Sequence, residues 1–339
     1  MTLLVRDEAD VVDAQIAYHL HAGVDFVIAT DNASSDGTTA ILERYERSGR
    51  LRLLHEPGRL IRQSEWVSRM AGLAATEHGA DWVINTDADE FWWPRGGSLK
   101  DVLGTVPERF GVVRGCWRHF LPVPDGDPFF AERMTVRLGT PAHPGDKETV
   151  FHAHQKVAHR ARADVVVETG NHNAEGPGLE PIRAWHPIEV LHFSFRSAAQ
   201  AERKARGSWI RNPHHFPAEH QIRLDAAHRA GGVEAFFGSL AVSDEALAQG
   251  LADGTLAVDT RLRDALRGLR RDDGSFGPPE NGQRLDFPRP TAADDAAYAA
   301  EASVLVEIDG IVRAEQRVRA LERRLELLER GPLRTLARR

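Results

Sequence analysis

The sequence predicts an α/β protein in which a mixed, mainly parallel sheet is flanked by helices and followed by a helical C-terminal extension. Two observations predict this fold class. Apolar runs of strand length alternate with helical patterns through residues 1–95, and such alternation is typical of a parallel sheet covered by helices. After residue 218 the chain is rich in Ala, Arg and Asp and helical in pattern.

The strands and helices of the first part follow one another in a regular order. Gly23 and Gly79 lie where the first and third helices are expected to end, because glycine readily adopts the conformation that stops a helix. The predicted strands are 2–5, 24–29, 51–54 and 82–84, and the predicted helices are 8–21, 36–47 and 63–77. We therefore expect parallel strands joined by helices.

Polar residues follow three of these strands. They are Arg6-Asp7-Glu8, the loop that begins at Thr30-Asp31, and the cluster that begins at Asp87. In open parallel sheets, ligands bind beyond the carboxyl ends of the strands. The three segments are therefore expected to form one ligand site at that edge.

Residues 96–215 are expected to add antiparallel or mixed strands. A connection rich in Pro, Gly and Asp lies at 122–128, and a strongly charged helix is predicted at 198–209. The runs with strand character are 112–117, 149–151, 155–158, 164–168 and 190–195.

The rest of the chain is expected to form a helical extension at 216–270, a linker or surface loop at 271–298, and a C-terminal helix at 299–339. Apolar residues recur at a/d spacing among Arg and Glu in that last helix, which is consistent with packing or with a short coiled coil in a homodimer. These residues are Val318, Leu321, Leu325 and Leu328. The basic tail 333–339 is either solvated or in contact with acidic lipid headgroups.

The composition argues against several classes of protein. A net charge of −7 provides no broad basic surface for nucleic acid. The single cysteine, Cys116, excludes an internal disulfide framework and a cysteine-based zinc site. The sequence has no signal-peptide pattern and no apolar run of the roughly 18–20 residues that span a membrane. We therefore expect a cytoplasmic protein, with peripheral contact at the inner face of the membrane as an alternative.

Residues 81–93, DWVINTDADEFWW, place three acids at the end of a strand: Asp87, Asp89 and Glu90. In an extended segment, Asp87 and Asp89 would point to one face and Glu90 to the other. Two carboxylates at the end of a buried strand need a positive partner. Mg²⁺ or Mn²⁺ bound to a phosphate-bearing substrate would satisfy them. A polar turn that closes the strand is the alternative, although the apolar residues on both sides favour the metal.

Three segments together resemble the family 2 glycosyltransferases: VRDEADVVDAQIAYHLHAGVDFVIATDNASSDGT, RLIRQSEWVSRMAGLAATEHGADWVINTDADEFWWP and VLHFSFRSAAQAERKARG. The branch in question opens with an acid-rich helix that ends in YHL and carries a DADEF metal motif. The resemblance spans residues 2–210 and implies a GT-A fold, with a nucleotide-binding half at 1–95 and an acceptor half at 96–215.

The resemblance also implies an activity and a set of roles. A sugar would move, with inversion, from a nucleoside-diphosphate sugar to an unidentified glycan, lipid or protein acceptor, with Mn²⁺ or Mg²⁺ as cofactor. Asp31 would bind the nucleotide base, and Arg6 the base or the ribose. Asp87 would lie near the ribose and share the metal with Asp89. His192 would complete the metal shell or contact the diphosphate.

The catalytic base is not evident in the sequence. The family uses an acidic residue that often lies in a Glu-Asp pair, and residues 100–210 contain no such pair. Glu90 and His172 are the candidates, although Glu90 could instead brace the loop. Glu168 and the pair His152 and His154 are further candidates.

Two of the candidate roles have structural alternatives. His192 lies within an apolar strand, where a hydrogen-bonded core histidine is equally consistent with the pattern. Arg196 could neutralise phosphate together with the basic run at 203–206, but that run also fits the solvated face of a helix.

Two other functions remain alternatives to glycosyl transfer. A metal-dependent nucleotidyl or phosphoryl transferase could also use paired acids, but the sequence has no G-x-x-x-x-G-K or G-x-G-x-x-G phosphate loop. A non-catalytic scaffold with a glycosyltransferase-like fold is the other alternative, and the intact Asp31, Asp87 and Asp89 argue against it.

Overall fold

The computed structural model of the chain describes residues 1–58, 61–124, 129–140, 150–183, 185–206, 219–280 and 282–292, and part of the residues between 294 and 325. Within these residues the strands are β1 (Thr2–Val5), β2 (Val27–Asp31), β3 (Leu51–His55), β4 (Trp82–Thr86), β5 (Glu90–Pro94), β6 (Val112–His119), β7 (Val136–Leu138), β8 (Gln155–Arg160), β9 (Val166–Val167), β10 (Ala174–Glu175), β11 (Ile188–His192) and β12 (Leu256–Val258). The helices are α1 (Val12–His21), α2 (Thr38–Arg47), α3 (Gln63–Thr76), α4 (Leu99–Gly104), α5 (Phe130–Arg133), α6 (Ala198–Arg206), α7 (Glu219–Arg229), α8 (Val233–Gly238), α9 (Asp244–Asp253) and α10 (Arg261–Leu269).

Eight strands form one sheet in the order β3-β2-β1-β4-β8-β6-β11-β5. The strands β1 to β4 lie side by side and are parallel, and β11 is parallel to β6. In contrast, β8 runs antiparallel between β4 and β6, and β5 is an antiparallel edge strand beside β11. The predicted fold class, a mixed, mainly parallel sheet flanked by helices, is confirmed.

Both faces of the sheet are covered by helices, which is why its strands are buried along most of their length. Successive residues Leu3 and Leu4 of β1 belong to different apolar clusters, because strand side chains alternate between faces. On the face of Leu3, α1 contributes Ile16 to the largest cluster. On the face of Leu4, α3 contributes Val67 and Met70.

Several element boundaries differ from the sequence expectation. The second strand is shifted to Val27–Asp31, and the first helix begins at Val12 rather than at Glu8, because Glu8 belongs to the loop after β1. Of the strand expected at 164–168, only Val166–Val167 forms. The run 149–151 lies partly outside the described residues and is a turn where it is described.

The C-terminal part of the chain packs onto the main domain. Leu262 and Leu266 of α10 and the loop residues Phe276 and Phe287 are buried in the largest apolar cluster. The segment predicted as a linker or surface loop at 271–298 therefore contributes to the core. The helical extension also includes a strand, because β12 pairs with β7.

The C-terminal helix is described only in part. Leu305 and Ile308 are buried against Cys116 and Ala153, so Cys116 is a small residue of the core. Three residues of the expected a/d stripe, Val318, Leu321 and Leu325, are exposed, and Leu328 lies outside the described residues. A homodimer through this helix stays a prediction. None of the described helices is long and apolar enough to cross a membrane.

A buried carboxylate on β11 ties the sheet to α10. Glu189 accepts hydrogen bonds from Arg118 at 2.8 Å, from Arg95 at 3.3 Å and from Arg261 at 2.8 Å. Burial alone would raise the pKa of Glu189, but the three guanidinium groups hold it well below its ordinary value of 4.5. These ion pairs hold β11 and α10 together, and they do not include the acids at the strand ends.

Glu189→Gln is predicted to lower the free energy of unfolding by about 3–5 kcal/mol, because three guanidinium groups lose their buried counter-charge. Urea denaturation followed by circular dichroism measures the change. Because folding lowers the pKa of Glu189, its contribution is present above pH 4.5 and is lost as the pH falls further, so the difference between wild type and variant should shrink on acidification.

The matched control for this variant is Glu180→Gln. It removes an exposed glutamate that lies 3.9 Å from Arg183, and it should change the free energy of unfolding by less than about 0.5 kcal/mol. Equal effects of the two substitutions would show that the Glu189 network does not stabilise the fold.

Candidate active site

The loops that follow β1 and β2 lie side by side, as expected for neighbouring parallel strands. The backbone N–H of Asp7 donates to Ser34 Oγ at 3.1 Å, and that of Glu8 donates to Thr38 Oγ1 at 2.9 Å. In return, Asp7 Oδ1 accepts from the N–H of Ser35 at 2.6 Å. The predicted convergence of these two polar segments is confirmed.

Asp31 and Arg6, which the resemblance assigns to the nucleotide, hold these loops in place. Asp31 Oδ1 accepts from the N–H of Ser34 at 3.0 Å and from its hydroxyl at 2.6 Å, and Oδ2 accepts from the hydroxyl of Thr39. Arg6 Nε donates to the carbonyl of Asn32 at 2.6 Å. Both residues lie at the carboxyl edge of the sheet, Asp31 buried and Arg6 half-buried. Their contacts with a nucleotide stay predictions.

Three residues next to the site have a left-handed backbone without being glycine. Asp7, Ala33 and Asn171 have φ angles of 56°, 57° and 58°. A conformation of this kind costs on the order of 1 kcal/mol or more and persists where the surroundings fix it. Two of these residues lie in the loops after β1 and β2, and the side chain of Asn171 contacts Asp87. Local strain is therefore concentrated around the converging strand ends.

The chain turns at the acidic cluster instead of continuing as a strand. β4 ends at Thr86, and β5 begins at Glu90 after a short turn. The expectation that Asp87 and Asp89 share a face opposite Glu90 is therefore wrong, because strand alternation does not continue through a turn. Instead, ligand atoms of Asp89, Glu90 and His192 lie within 4.8 Å of one another.

Glu90 is enclosed by its neighbours and has no exposed surface. Its Oε1 accepts from Trp117 Nε1 at 2.8 Å and lies 2.9 Å from Lys156 Nζ, and its Oε2 accepts from the N–H of Asp87 at 3.0 Å. Burial raises the pKa of Glu90 to about 8, although Lys156 acts in the opposite direction. These contacts favour the bracing role over that of a base, since an acceptor hydroxyl would need access to the carboxylate.

Asp87 has a different set of partners. It forms an ion pair with Lys156, and its Oδ1 accepts from Asn171 at 3.1 Å and from Gln63 at 3.4 Å. The side chain of Asp87 is 32% exposed, whereas that of Lys156 is only 1% exposed. The buried Lys156 therefore bridges Asp87 and Glu90. Asp87 is the acid of the cluster that faces solvent.

Asp89 has three basic neighbours. Its Oδ2 accepts from Lys204 Nζ at 2.7 Å and lies 3.7 Å from Arg196 Nη1, and its Oδ1 lies 3.7 Å from His192 Nε2. Burial alone would raise the pKa of Asp89, but the charges of Lys204 and Arg196 hold it well below its ordinary range. Asp89 is therefore an anion in the folded protein.

The basic residues before and within α6 bind acids of the first loop. Arg196, which precedes α6, is 1% exposed and pairs with Glu8 and Asp10. Arg203 lies 2.9 Å from Asp10. Of these arginines, only Arg206 lies on a solvated face of the helix, as the alternative reading of the basic run expected. Its side chain is 69% exposed. The loop after β1, the turn after β4 and α6 thus meet at one point.

Trp117 and the histidine rings around it lie beside the acids. Trp117 stacks on His192 with ring centroids 4.4 Å apart. Burial lowers the pKa of His192 well below 6.5, so the ring is neutral, as a metal ligand must be. Four further histidine rings lie 5.3–5.8 Å from Trp117: His119, His152, His154 and His172.

Several buried polar atoms around the acids have no hydrogen-bond partner among the residues that the structure describes. They are His192 Nδ1, Ser194 Oγ, Asn32 Oδ1 and Asn171 Oδ1. Leaving such an atom unsatisfied costs about 1–3 kcal/mol. A polar ligand at the strand ends would give these atoms partners.

Sequence reasoning missed Lys156, Trp117 and Asn171. A signal for Lys156 was present, because a lysine within an apolar strand is almost never buried without an acidic partner. Trp117 and Asn171 carried no such signal, since a tryptophan in a strand and an asparagine beside a glycine are ordinary features.

The donor atoms of Asp89 and His192 fit a divalent cation. Carboxylate oxygen suits Mg²⁺ and Mn²⁺, and the imidazole nitrogen favours Mn²⁺ of the two. The low pKa of His192 keeps its ring neutral, and its Nε2, 3.7 Å from Asp89 Oδ1, is the nitrogen that could share a cation with Asp89. Asp87 lies outside the group of ligand atoms within 4.8 Å, so its expected part in the metal shell stays a prediction.

The sequence matches no protein-family model and has no significant match among curated proteins. Among solved structures, S. aureus TarS aligns at 12% identity and a TM-score of 0.30, over 67% of this chain and 42% of TarS. TarS 1–349 in complex with UDP-GlcNAc aligns at 12% identity and a TM-score of 0.32, over 93% of this chain and 91% of the other. Similarity at this level establishes neither the family nor the activity of this chain.

Lys156→Met is predicted to lower the free energy of unfolding by about 3–5 kcal/mol, because Glu90 and Asp87 lose their buried cation. Adding Glu90→Gln should recover part of that loss, with a coupling energy of about 1–3 kcal/mol. Denaturation of the two single variants and the double variant measures the coupling. Additive effects would show that Lys156 and Glu90 do not stabilise each other.

Proposed function

We propose that this protein is a metal-dependent glycosyltransferase that moves a sugar from a nucleoside-diphosphate sugar to an acceptor hydroxyl. The observation that carries the proposal is the group formed by Asp89, Glu90 and His192 at the carboxyl edge of the parallel strands, with ligand atoms within 4.8 Å of one another. The sequence resemblance assigns the same acids to the same chemistry. Arg196 and Lys204 lie beside the group, and their positive charge is what a bound diphosphate would require.

Asp89 and His192 are the residues that would hold the metal, and Glu90 fixes the turn that presents Asp89. When bound, a divalent cation offsets the negative charge that grows on a diphosphate leaving group. The protein's own cations would stabilise the negative charge of the diphosphate that the metal does not offset. Arg196 is 1% exposed and is held rigidly by Glu8 and Asp10, so its charge would act on the phosphates as a fixed part of the site's field and not through direct contact.

We favour His172 as the catalytic base, because it is partly exposed whereas Glu90 is buried. Its Nδ1 lies 2.7 Å from the carbonyl of Gln155, so Nδ1 carries the proton and Nε2 is the basic nitrogen. Its ring stacks on His154 at 3.5 Å and lies 5.5 Å from Trp117. In an inverting reaction, Nε2 of His172 would remove the proton of the acceptor hydroxyl as the sugar is transferred.

A metal-dependent nucleotidyl or phosphoryl transferase is the second candidate. The sequence lacks a phosphate loop, but the fold brings Lys156 and Lys204 to the acids from distant positions. Lysines of this kind can also bind a phosphoryl group in transfer. A panel of nucleotide-sugars separates the two functions by product: free sugar with nucleoside diphosphate, or nucleoside monophosphate with sugar phosphate.

Three expectations about context remain part of the proposal. The protein acts in the cytoplasm, with or without contact at the inner face of the membrane. It has no nucleic-acid partner, in agreement with its net charge of −7. Its acceptor is a glycan, a lipid or a protein.

Turnover is predicted to depend on a divalent cation. In a nucleotide-sugar hydrolysis panel, activity with Mn²⁺ should exceed activity with a chelator by more than about 100-fold, because the metal contributes several kcal/mol of charge stabilisation. Calorimetry of the nucleotide-sugar with and without Mn²⁺ should show the same dependence in affinity. Equal rates and affinities under the two conditions would contradict a metal-dependent reaction.

Asp89→Asn is predicted to lower turnover by more than about 100-fold, because a metal ligand loses its charge. The substitution keeps the shape of the side chain, and circular dichroism checks that the fold is retained. Asp164→Asn is the control, since Asp164 is an exposed acid before β9. An unchanged rate in Asp89→Asn would make the acidic turn a structural feature.

A further inference from the structure

We infer that Lys204 is a counterion that exchanges between two partners: Asp89 holds it in the free protein, and the diphosphate of the donor holds it when a divalent cation occupies Asp89. The inference rests on the proposed function and assigns to Lys204 a binding role toward the diphosphate. It also makes Lys204 a competitor of the metal in the absence of substrate.

The contact itself shows why Lys204 is the residue that exchanges. Its Nζ donates to Asp89 Oδ2 at 2.7 Å and to the carbonyl of Ser194 at 2.9 Å. Within the described part of the chain, Asp89 is the only carboxylate in ion-pair distance of Lys204. The side chain of Lys204 is 34% exposed, whereas that of Asp89 is 8% exposed. A flexible stem therefore reaches from the surface to a buried acid and, among the described residues, can withdraw without breaking a second ion pair.

Arg196, the other cation beside Asp89, is fixed by comparison. It is 1% exposed, pairs with Glu8 and Asp10, and donates to the carbonyl of Phe193 at 3.1 Å. Moving it would break its ion pairs with both acids and leave Asp10 with Arg203 alone, which is costly in a buried site. The exchange is therefore assigned to Lys204 and not to Arg196.

The charge balance explains why exchange is needed. Four acids, Glu8, Asp10, Asp36 and Asp89, lie within 4 Å of three protein cations, Arg196, Arg203 and Lys204. A divalent cation at Asp89 would take an oxygen that Lys204 already uses and would stand close to its ammonium group, which it repels. The negative charge of a diphosphate can pair with both the divalent cation and the ammonium group of Lys204. Metal and diphosphate should therefore strengthen each other's binding.

Lys204→Met tests the exchange because methionine keeps the length of the stem and its packing while it removes the charge. Lys204 Nζ lies 5.7 Å from the ring of Phe195, a contact that an apolar chain can retain. Lys204→Arg restores the charge. Arg206→Met is the matched control, because Arg206 lies on the same helix, is 69% exposed and pairs with Glu202.

Two affinities are measured for each variant, with unfolding temperatures to confirm that it folds. The first is the affinity for Mn²⁺ alone, from the paramagnetic resonance signal of the free ion. The second is the affinity for inorganic pyrophosphate in the presence of Mg²⁺, from calorimetry. Lys204→Met should bind Mn²⁺ about tenfold more tightly and pyrophosphate about tenfold more weakly, each corresponding to roughly 1.4 kcal/mol. Lys204→Arg should move both values back toward wild type, and Arg206→Met should change neither.

The remaining outcomes separate this inference from the proposed function. If wild type binds Mn²⁺ and Lys204→Met binds it equally or less tightly, the exchange is wrong while the metal site stands. Tighter Mn²⁺ binding with unchanged pyrophosphate binding also overturns the exchange, because Lys204 is then only a counterion of Asp89. If neither wild type nor Lys204→Met binds Mn²⁺, the inference and the metal-dependent function fail together.

Discussion

The structure depends on the pairing of buried acids with buried cations at the carboxyl edge of the sheet. A carboxylate removed from water is tolerated only with a cation or several hydrogen bonds nearby. Arg196 meets this requirement for Glu8 and Asp10, and Lys156 meets it for Glu90 and Asp87. The ion pairs therefore decide where α6 and β8 contact the loops after β1 and β4, in addition to the apolar core beneath them.

This pairing links the fold to the proposed chemistry. Each of these acids has a cation beside it in the free protein, so the site is arranged before a ligand arrives. Preorganised charges of this kind stabilise a transition state without further rearrangement. Asp89 stands out because it has neutral His192 on one side and the partly exposed, flexible Lys204 on the other. It is the acid at which a metal can enter with the least disruption.

Local sequence patterns predicted the fold class and the converging strand ends, but not the pairing inside the site. Alternation of strands and helices is a local property, and Asp89 and His192 were found from a motif and a resemblance. Lys156 is 69 positions from Asp87 and Lys204 is 115 positions from Asp89, so only the tertiary fold brings them together. The face of Glu90 was predicted wrongly because the backbone turns after Thr86, and alternation assumes that it does not.

The central claim is that Asp89 and His192 form the divalent cation site of a nucleotide-sugar enzyme. Anomalous diffraction at the manganese edge, from crystals grown with Mn²⁺ and a nucleoside diphosphate, tests it most directly. One strong peak is expected within coordination distance of Asp89 and His192, with the diphosphate on its other side. A diphosphate bound at the strand ends without a peak at Asp89, or a peak elsewhere, would contradict it.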